Sequence, residues 1–380
     1  MRTILITGGA GFIGSNLANA LLNKGHSIRI LDNLSPQIHG HLPCKYDWLD
    51  VSEVEFIRAS VTDVVQVRQA LKGIDVLVHL ASETGTGQSM YEISRYSEVN
   101  LGGTAVLLDA LANDPNRSVK RIVLASSRSI YGEGAYACSK CEPHVRVYPA
   151  SRTRPQLEEH RWEHACEKCA DPLQPTATRE TDPPQPGSIY AATKYAQEDL
   201  VRVAASALGI DFAVLRLQNV YGEGQSLNNP YTGILSIFST RIRRGLHLPI
   251  FEDGQETRDF VHVEDVANAF CRAIEFDGAI NQAINVGMGI KTTVQQIATH
   301  LSNAFGVEPN LITTNEFRLG DIRHNFADIQ RLKNTLNFSP QITLADGMTR
   351  FADWVSTQVL PKDQLDQANS ELKSRGLMGK

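Results

Sequence analysis

No apolar run in the 380-residue sequence approaches the roughly 18–20 residues that cross a bilayer. There is no basic stripe either. Lys and Arg total 37 against 42 Asp and Glu, for a formal net charge of −5, and the densest basic cluster, Arg241-Ile-Arg-Arg244, is short. The counterion-releasing surface of a nucleic-acid binder is therefore missing. The N-terminal stretch Met1–Thr7 lacks the basic, apolar and cleavage regions of a signal peptide and runs straight into glycines. These absences lead to the expectation of a soluble, cytoplasmic chain with no membrane or nucleic-acid partner. Disorder, collagen and coiled coil are excluded by 42% apolar and 21% charged residues without repeat or low-complexity tract. Cysteine is scarce, at six residues. Cys44 and Cys271 stand alone, while the other four form Cys138-x-x-Cys141 and Cys166-x-x-Cys169. In a reducing compartment that pattern points to metal rather than to disulfides.

What is present is an alternation of strands and helices. Thr3–Thr7, Ser27–Leu31, Val54–Arg58, Ile74–Leu80 and Arg121–Ser126 read as strands. Phe12–Asn23, Asp63–Lys72 and Tyr96–Asn113 read as helices between them, the first closing near Gly25 and the second capped by Asp63. This alternation predicts an α/β fold, a doubly wound parallel sheet with helices on both faces. The rhythm breaks over residues 135–187, which are rich in Pro, Cys, Arg, His and Glu, far longer than an ordinary βα connection. It resumes with a helix at Tyr190–Leu208 and a strand at Phe212–Leu217. Helices at Thr232–Arg244, Asp265–Glu275 and Val294–Phe305 follow. At about 100–200 residues per domain, we expect a dinucleotide-binding domain over 1–220, to which 259–286 returns. A smaller substrate-binding α/β region would comprise 221–258 and 287–380.

Gly8, Gly11 and Gly14 form a GxxGxxG loop between the first strand and the first helix. Such a loop lets backbone approach a pyrophosphate at a helix N-terminus. Asp32 ends the second strand, where a carboxylate accepts hydrogen bonds from the adenine ribose and repels a 2′-phosphate. No Arg occupies 33–35, so NAD is favoured over NADP. Tyr190-Ala-Ala-Thr-Lys194 places a phenol and an ammonium on one helix face. That spacing lets the lysine lower the tyrosine pKa toward neutrality and make a usable base. Ser126-Ser127 ends the fifth strand on the same side of the sheet.

With these residues the chain resembles the extended short-chain dehydrogenases/reductases, in their nucleotide-sugar epimerase/dehydratase branch. Thr7-Gly-Gly-Ala-Gly-Phe-Ile-Gly14, His79-Leu-Ala81, Asn100, Ser126-Ser127-x-x-x-Tyr131-Gly132, Tyr190-x-x-x-Lys194, Leu215-Arg-Leu-Gln-Asn219-Val-Tyr-Gly222 and Arg258-Asp-Phe-Val-His-Val-Glu-Asp265 carry the resemblance. It implies a catalytic triad of Ser127, Tyr190 and Lys194. It also implies a cofactor cleft lined by Phe12, Ile13, Asn33, Ser60, Val61, Leu80, Ala81, Ser82 and Asn100. Ser60 stands where the family usually has Asp. Implied substrate contacts are Thr84, Arg128, Ser129, Gln218, Asn219, Arg258, Arg318 and Asp321. Phe251 suits either a base platform or the core. Arg128 suits either a pair with Glu83 or Glu133 or a contact to the sugar.

The family's dehydratases carry an Asp-Glu pair at the positions of Arg128 and Ser129. Its decarboxylases have Glu, and its 3,5-epimerases Cys, at the position of Ser129. By elimination the resemblance implies a 4-epimerase working through a 4-keto sugar. A dehydrogenase, another sugar-modifying reaction, or a protein that binds NAD without turnover are the other readings. The blocks Thr84–Glu92, Ser127–Gly134, Gly224–Gly233 and Gly320–His324 resemble dTDP-L-rhamnose 4-epimerase-like proteins of polysaccharide biosynthesis. The resemblance further implies a homodimer through the helices at Tyr96–Asn113 and Tyr190–Leu208; Val106, Leu107 and Ala110 suit either that apolar surface or packing on the sheet. In the insertion, Cys138, Cys141, Cys166 and Cys169 would close a structural tetrahedral zinc site. Disulfides or an unstructured loop are the alternatives. His144 and His164 are alternative ligands for the zinc site, though both are expected to be exposed.

Overall fold

The computed structural model describes residues 1–40, 51–227, 229, 233–363 and 365–380. Cys44, and Asn228 and Pro230–Thr232 of the Gly224–Gly233 block, lie outside the described residues. Seven strands form the main sheet: β1 (Thr3–Thr7), β2 (Ser27–Asp32), β3 (Val54–Arg58), β4 (Val76–His79), β5 (Arg121–Ser127), β6 (Asp211–Leu217) and β7 (Gln282–Val286). They are all parallel, in the spatial order β7-β6-β5-β4-β1-β2-β3. Chain direction across the sheet reverses between β1 and β4, which opens a crevice at the carboxyl ends of the strands.

The main helices are α1 (Phe12–Leu22), α2 (Val64–Ala70), α3 (Gly103–Ala112), α4 (Ile189–Leu208), α5 (Ile234–Arg243), α6 (Val263–Glu275), α7 (Val294–Ala304) and α8 (Leu344–Thr357). Strand period two sorts the apolar residues between the faces. Ile4, Ile6, Val76, Val78 and Val123 pack with α1 and α6, while Leu5, Leu77, Ile122 and Leu124 pack with α2, α3 and α4. A third cluster, including Tyr221, Leu235, Phe238, Ile297 and Phe351, joins α5, α7 and α8 beyond the sheet. As the sequence leads one to expect, Asp63 caps α2 by accepting from the amides of Val65 and Gln66. Ser188 caps α4, which ends on left-handed Gly209.

The expected Tyr96–Asn113 helix is three segments: Ile93–Tyr96, a π-helical stretch Ser97–Gly102, and α3. Of the two readings for Leu107 and Ala110, the structure has the second: both are buried against the sheet. The 135–187 insertion is structured. Glu142–Val147, Tyr136–Cys138 and Gln174–Pro175 form an antiparallel sheet in that order, and the helix Arg154–Glu158 falls between Val147 and Gln174 in the chain. Two of these strands have only two and three residues, and the third, Glu142–Val147, is exposed over its first four positions and so carries no buried apolar alternation.

Candidate active site

The crevice is a cleft of about 610 Å³ that runs from the glycine loop to the C-terminal region. Gly8 has φ +69°, and a Cβ there would lie 2.7 Å from the Ala81 amide nitrogen. A Cβ on Gly14 would lie 2.4 Å from the Gly8 carbonyl oxygen. The tight packing lets α1 start at Gly11 with no side chain capping it, and its amides face the cleft as an anion seat. Gly8, Gly11, Phe12, Ile13, Gly14, Asp32, Asn33, Ser60, Val61, Leu80, Ala81 and Ser82 all line the cleft. Asp32 is buried, and its carboxylate accepts from the amides of Ala10 (3.0 Å) and Leu34 (2.8 Å). These residues fit a dinucleotide: a cradle that any Cβ would fill, a free helix N-terminus and a carboxylate at the ribose end.

Ser127, Tyr190 and Lys194 come together on the opposite wall. Burial raises the Tyr190 phenol above its ordinary value, while the Ser127 hydroxyl and the Arg128 guanidinium pull it back. Burial lowers Lys194 to about 7, with Glu198 opposing. Desolvation is the largest influence on both groups, and Lys194 is not among those that shift the phenol. Beneath them, Glu198 accepts from Ser126 and pairs with Arg216 at 2.7 Å, tying α4 to β5 and β6.

Asn100, expected at the cofactor, lies behind the cleft wall. It is fully buried, accepts from Ser82 Oγ (3.0 Å) and the Glu83 amide (2.8 Å), and donates to Thr193 Oγ1 (3.0 Å). The π-helical turn swings its amide onto the 82–83 loop, so it positions that loop. Ser129, expected at the substrate, does not line the cleft. Its amide donates to Ser127 Oγ across a 3₁₀ turn, and its hydroxyl is buried without a hydrogen-bond partner. His79 is equally hidden. Thr7 and Thr104 hydroxyls sit 2.8 and 2.9 Å from its two ring nitrogens, and burial holds its pKa down to about 3.

Thr84, Arg128, Gln218, Asn219, Arg258, Arg318 and Asp321 line the far end. Arg128 pairs with neither Glu83, which takes Arg95, nor Glu133; its Nε donates to Asn219 Oδ1 at 2.9 Å. Burial and the neighbouring Arg258 charge lower it to about 9. Arg258 donates to the carbonyls of Thr257, Ile322 and Arg323. Arg318 lies 4.5 Å over the Phe251 ring and donates to Asn369. Gln218 is buried with both amide atoms unpartnered. Sequence reasoning missed Glu252 and Glu256, which also line the cleft. They sit between the Phe251 and Arg258 that were singled out, and only their burial marks them.

In the insertion the sulfur atoms of Cys138, Cys141, Cys166 and Cys169 all lie within 4.8 Å of one another. Cys138 and Cys169 Sγ are 3.6 Å apart, and the Cys141 amide donates to Cys138 Sγ. His164, expected to be exposed, is buried edge-on to Tyr136 and 3.3 Å from Glu133; His144 is exposed. Cys271 is buried in α6.

The chain matches the NAD dependent epimerase/dehydratase family over residues 4–156 and 164–287. It is 36% identical to a dTDP-L-rhamnose 4-epimerase of Burkholderia thailandensis, across 94% of this chain and 96% of that protein. A UDP-glucose 4-epimerase of Thermotoga maritima, solved with UDP-glucose, superposes with a TM-score of 0.72 at 29% identity, covering 93% of this chain and 98% of that one. A UDP-glucose 4-epimerase of Thermus thermophilus in complex with NAD gives 0.71 at 26% identity, covering 94% and 100%. A glycine cradle on a parallel sheet, a Ser–Tyr–Lys wall facing it, and a match along nearly the whole chain place this protein in the NAD dependent epimerase/dehydratase family.

Proposed function

We propose that the chain is an NAD-dependent nucleotide-sugar 4-epimerase. The observation that carries this reading is the far end of the cleft. Arg128, Arg258 and Arg318 line it beside Ser127 and Tyr190, and among the described residues none is ion-paired with a carboxylate. Half-buried guanidinium groups that make no direct ion pair keep charge and donors free for an anion. A diphosphate supplies both the charge and the oxygens for bidentate bonds. The sugar carried on that diphosphate would then reach Tyr190. Bound NAD supplies a reversible hydride acceptor. Tyr190 takes the C4 hydroxyl proton and later returns it, Ser127 steadies the sugar oxygen, and Lys194 binds the nicotinamide ribose. The arginines retain the diphosphate while the 4-keto sugar turns over and presents its other face. Arg128 and Ser129 stand where relatives that dehydrate have an acid and a base, and the Ser129 hydroxyl is turned away from the cleft.

The test is incubation with dTDP-L-rhamnose, then with UDP-, GDP- and CDP-hexoses, read by NMR at C4. A C4 epimer should form without net change at 340 nm. Stoichiometric NADH, about one per sugar by hydride balance, would overturn the epimerase reading in favour of a dehydrogenase.

We infer further that the four thiols hold a structural zinc ion. Four thiolates around Zn at about 2.3 Å sit about 3.8 Å from one another in a tetrahedron, which suits the compact sulfur cluster. With all four positions filled by sulfur, no place is left for a reactive water. A homodimer is also proposed. Leu200 and Val203, exposed on α4, offer apolar surface for a two-fold partner. Light scattering at micromolar concentration should give twice the 41.9 kDa chain mass; a monomer mass would refute it.

A further inference from the structure

The insertion interlocks with the far end of the cleft. Arg152, buried within the insertion, makes a two-pronged pair with Glu252, Nη1 to Oε2 and Nη2 to Oε1, both at 2.8 Å. Its Nη2 also donates to the Asp321 carbonyl. Glu252 has φ +48°, a left-handed backbone that a residue with a side chain adopts only when its surroundings impose it. The Arg152 fork is such an imposition, and Glu252 directly follows Phe251, the ring beneath Arg318.

A second strut starts at Glu163, inside residues 157–163 where the family match breaks. One Glu163 oxygen accepts from Arg323 at 2.7 Å and the other lies 3.1 Å from His324 Nε2. His324 Nδ1 accepts from the Thr257 amide at 3.2 Å, so the proton on Nε2 faces Glu163. Arg323 and Ile322 in turn offer the carbonyls that hold the Arg258 guanidinium at 3.0 and 2.7 Å. A third contact is apolar. Leu157 and Trp162 of the insertion pack with Phe317, the neighbour of Arg318. Each of two cleft arginines is thus seated on a segment that the insertion fixes. The cofactor cradle at residues 8–14 and 32 shares none of these contacts.

We propose that the insertion is a positioning element for the nucleotide-sugar subsite, setting Arg258 and Arg318 through Arg152, Glu163 and the Leu157–Trp162 pair. Its ligand is the diphosphate end of the substrate, and the inference rests on the nucleotide-sugar reading above. In this arrangement the thiol cluster acts at a distance, by keeping the insertion folded against the cleft.

The test compares wild type with Arg152→Met and Glu163→Gln, measuring UDP, dTDP and NAD binding by calorimetry together with steady-state kinetics. Both variants should raise the nucleoside-diphosphate Kd and the sugar KM by about 10- to 100-fold, the cost of misplacing a binding group by about an ångström. The NAD Kd should stay put and kcat should change by less than about threefold, the signature of lost uniform binding. Adding Glu252→Gly to Arg152→Met should restore part of the KM, because glycine adopts the left-handed turn without a clamp. If Arg152→Met fails to fold, Glu163→Gln alone decides. Unchanged nucleotide binding in folded variants overturns the proposal, as does an equal loss of NAD and nucleotide binding. A wild-type chain that binds NAD but no nucleoside diphosphate overturns the nucleotide-sugar reading itself, and this proposal with it.

Discussion

Tyr190 and Lys194 stand one helical turn apart, yet burial drives them in opposite directions: the phenol up, the ammonium down to about 7. Both shifts favour the neutral side chain, as burial does for any ionisable group. To accept the C4 hydroxyl proton Tyr190 must be phenolate, its own proton having left first, and the Ser127 hydroxyl and Arg128 guanidinium that pull its pKa down favour that form; no other side chain of the triad supplies an equivalent base. Tyr190→Phe should therefore lower turnover by at least about 10²-fold, the low end for loss of a general acid–base group. NAD affinity, set by the glycine cradle and Asp32, should persist in a fluorescence titration. Glu256 gives a pH test. Burial raises its carboxyl from 4.5 to about 7, and one oxygen has no hydrogen-bond partner. A raised folded-state pKa contributes stability that is full below the unfolded value of 4.5 and is lost as pH rises through 7. Wild type should thus lose up to about 3 kcal/mol between those limits relative to Glu256→Gln. Denaturation midpoints at pH 5 and pH 8 check the sign: the variant's advantage must grow with pH. Residues whose geometry is fixed by local backbone, such as the glycine loop and the Tyr–Lys turn, were legible in the sequence. Asn100 and Ser129 were not, because a π-helical turn and a 3₁₀ turn aim their side chains, and neither turn leaves a spacing to read.

At the scale of elements, the apolar β-rich runs, the helical spacing between them and the Asp63 cap made the first five strands and most of the helices readable to within a few residues, while Gln282–Val286 and the break within Tyr96–Asn113 were not read. The insertion was opaque for the opposite reason. Its order comes from thiols, from ion pairs to Glu252 and Arg323, and from three very short strands, and all of these are long-range or non-periodic. The β1–α1 junction shows how much a local motif can carry. Gly14 exists there because its Cβ would meet Gly8 oxygen at 2.4 Å and Gly9 Cα at 2.6 Å, both backbone atoms that cannot rotate away. Gly14→Ala should cost about 1–3 kcal/mol of stability by overpacking and should weaken NAD binding by displacing the loop. Gly87→Ala is the control. Its Cβ would make only ordinary contact, 3.5 Å from a Leu372 methyl. Thermal melts with and without NAD separate the two, and a Gly14→Ala protein with unaltered NAD affinity would remove the loop from the cofactor site.

Over the whole molecule, three cores of unequal strength hold the chain. The two that sandwich the sheet and the one under α5, α7 and α8 are built from large aliphatic and aromatic side chains. The insertion has few: around the thiols lies a cluster of Tyr136, Cys138, Cys166 and Leu173, edged by Val147 and Cys169, and apart from it, among the described residues, only Leu157 and Trp162 pack, against Phe317. Half of that cluster's fully buried members are thiols, so apolar burial alone gives this lobe little stability. Structural zinc contributes about 10–16 kcal/mol in zinc-finger peptides at neutral pH, ample to fold such a lobe on the larger body. Elemental analysis should therefore find one zinc per chain, and Cys166→Ser should lose it. The loss should stay local. Proteolysis should open residues 135–187 while the Rossmann sheet and NAD binding survive, because the main cores share no members with the lobe. Removal of metal with a chelator should reproduce the same cleavage pattern in the wild-type chain. A metal-free preparation whose insertion still resists protease would show that Arg152, Glu163 and the Leu157–Trp162 contact suffice to order it, and the zinc assignment would fall.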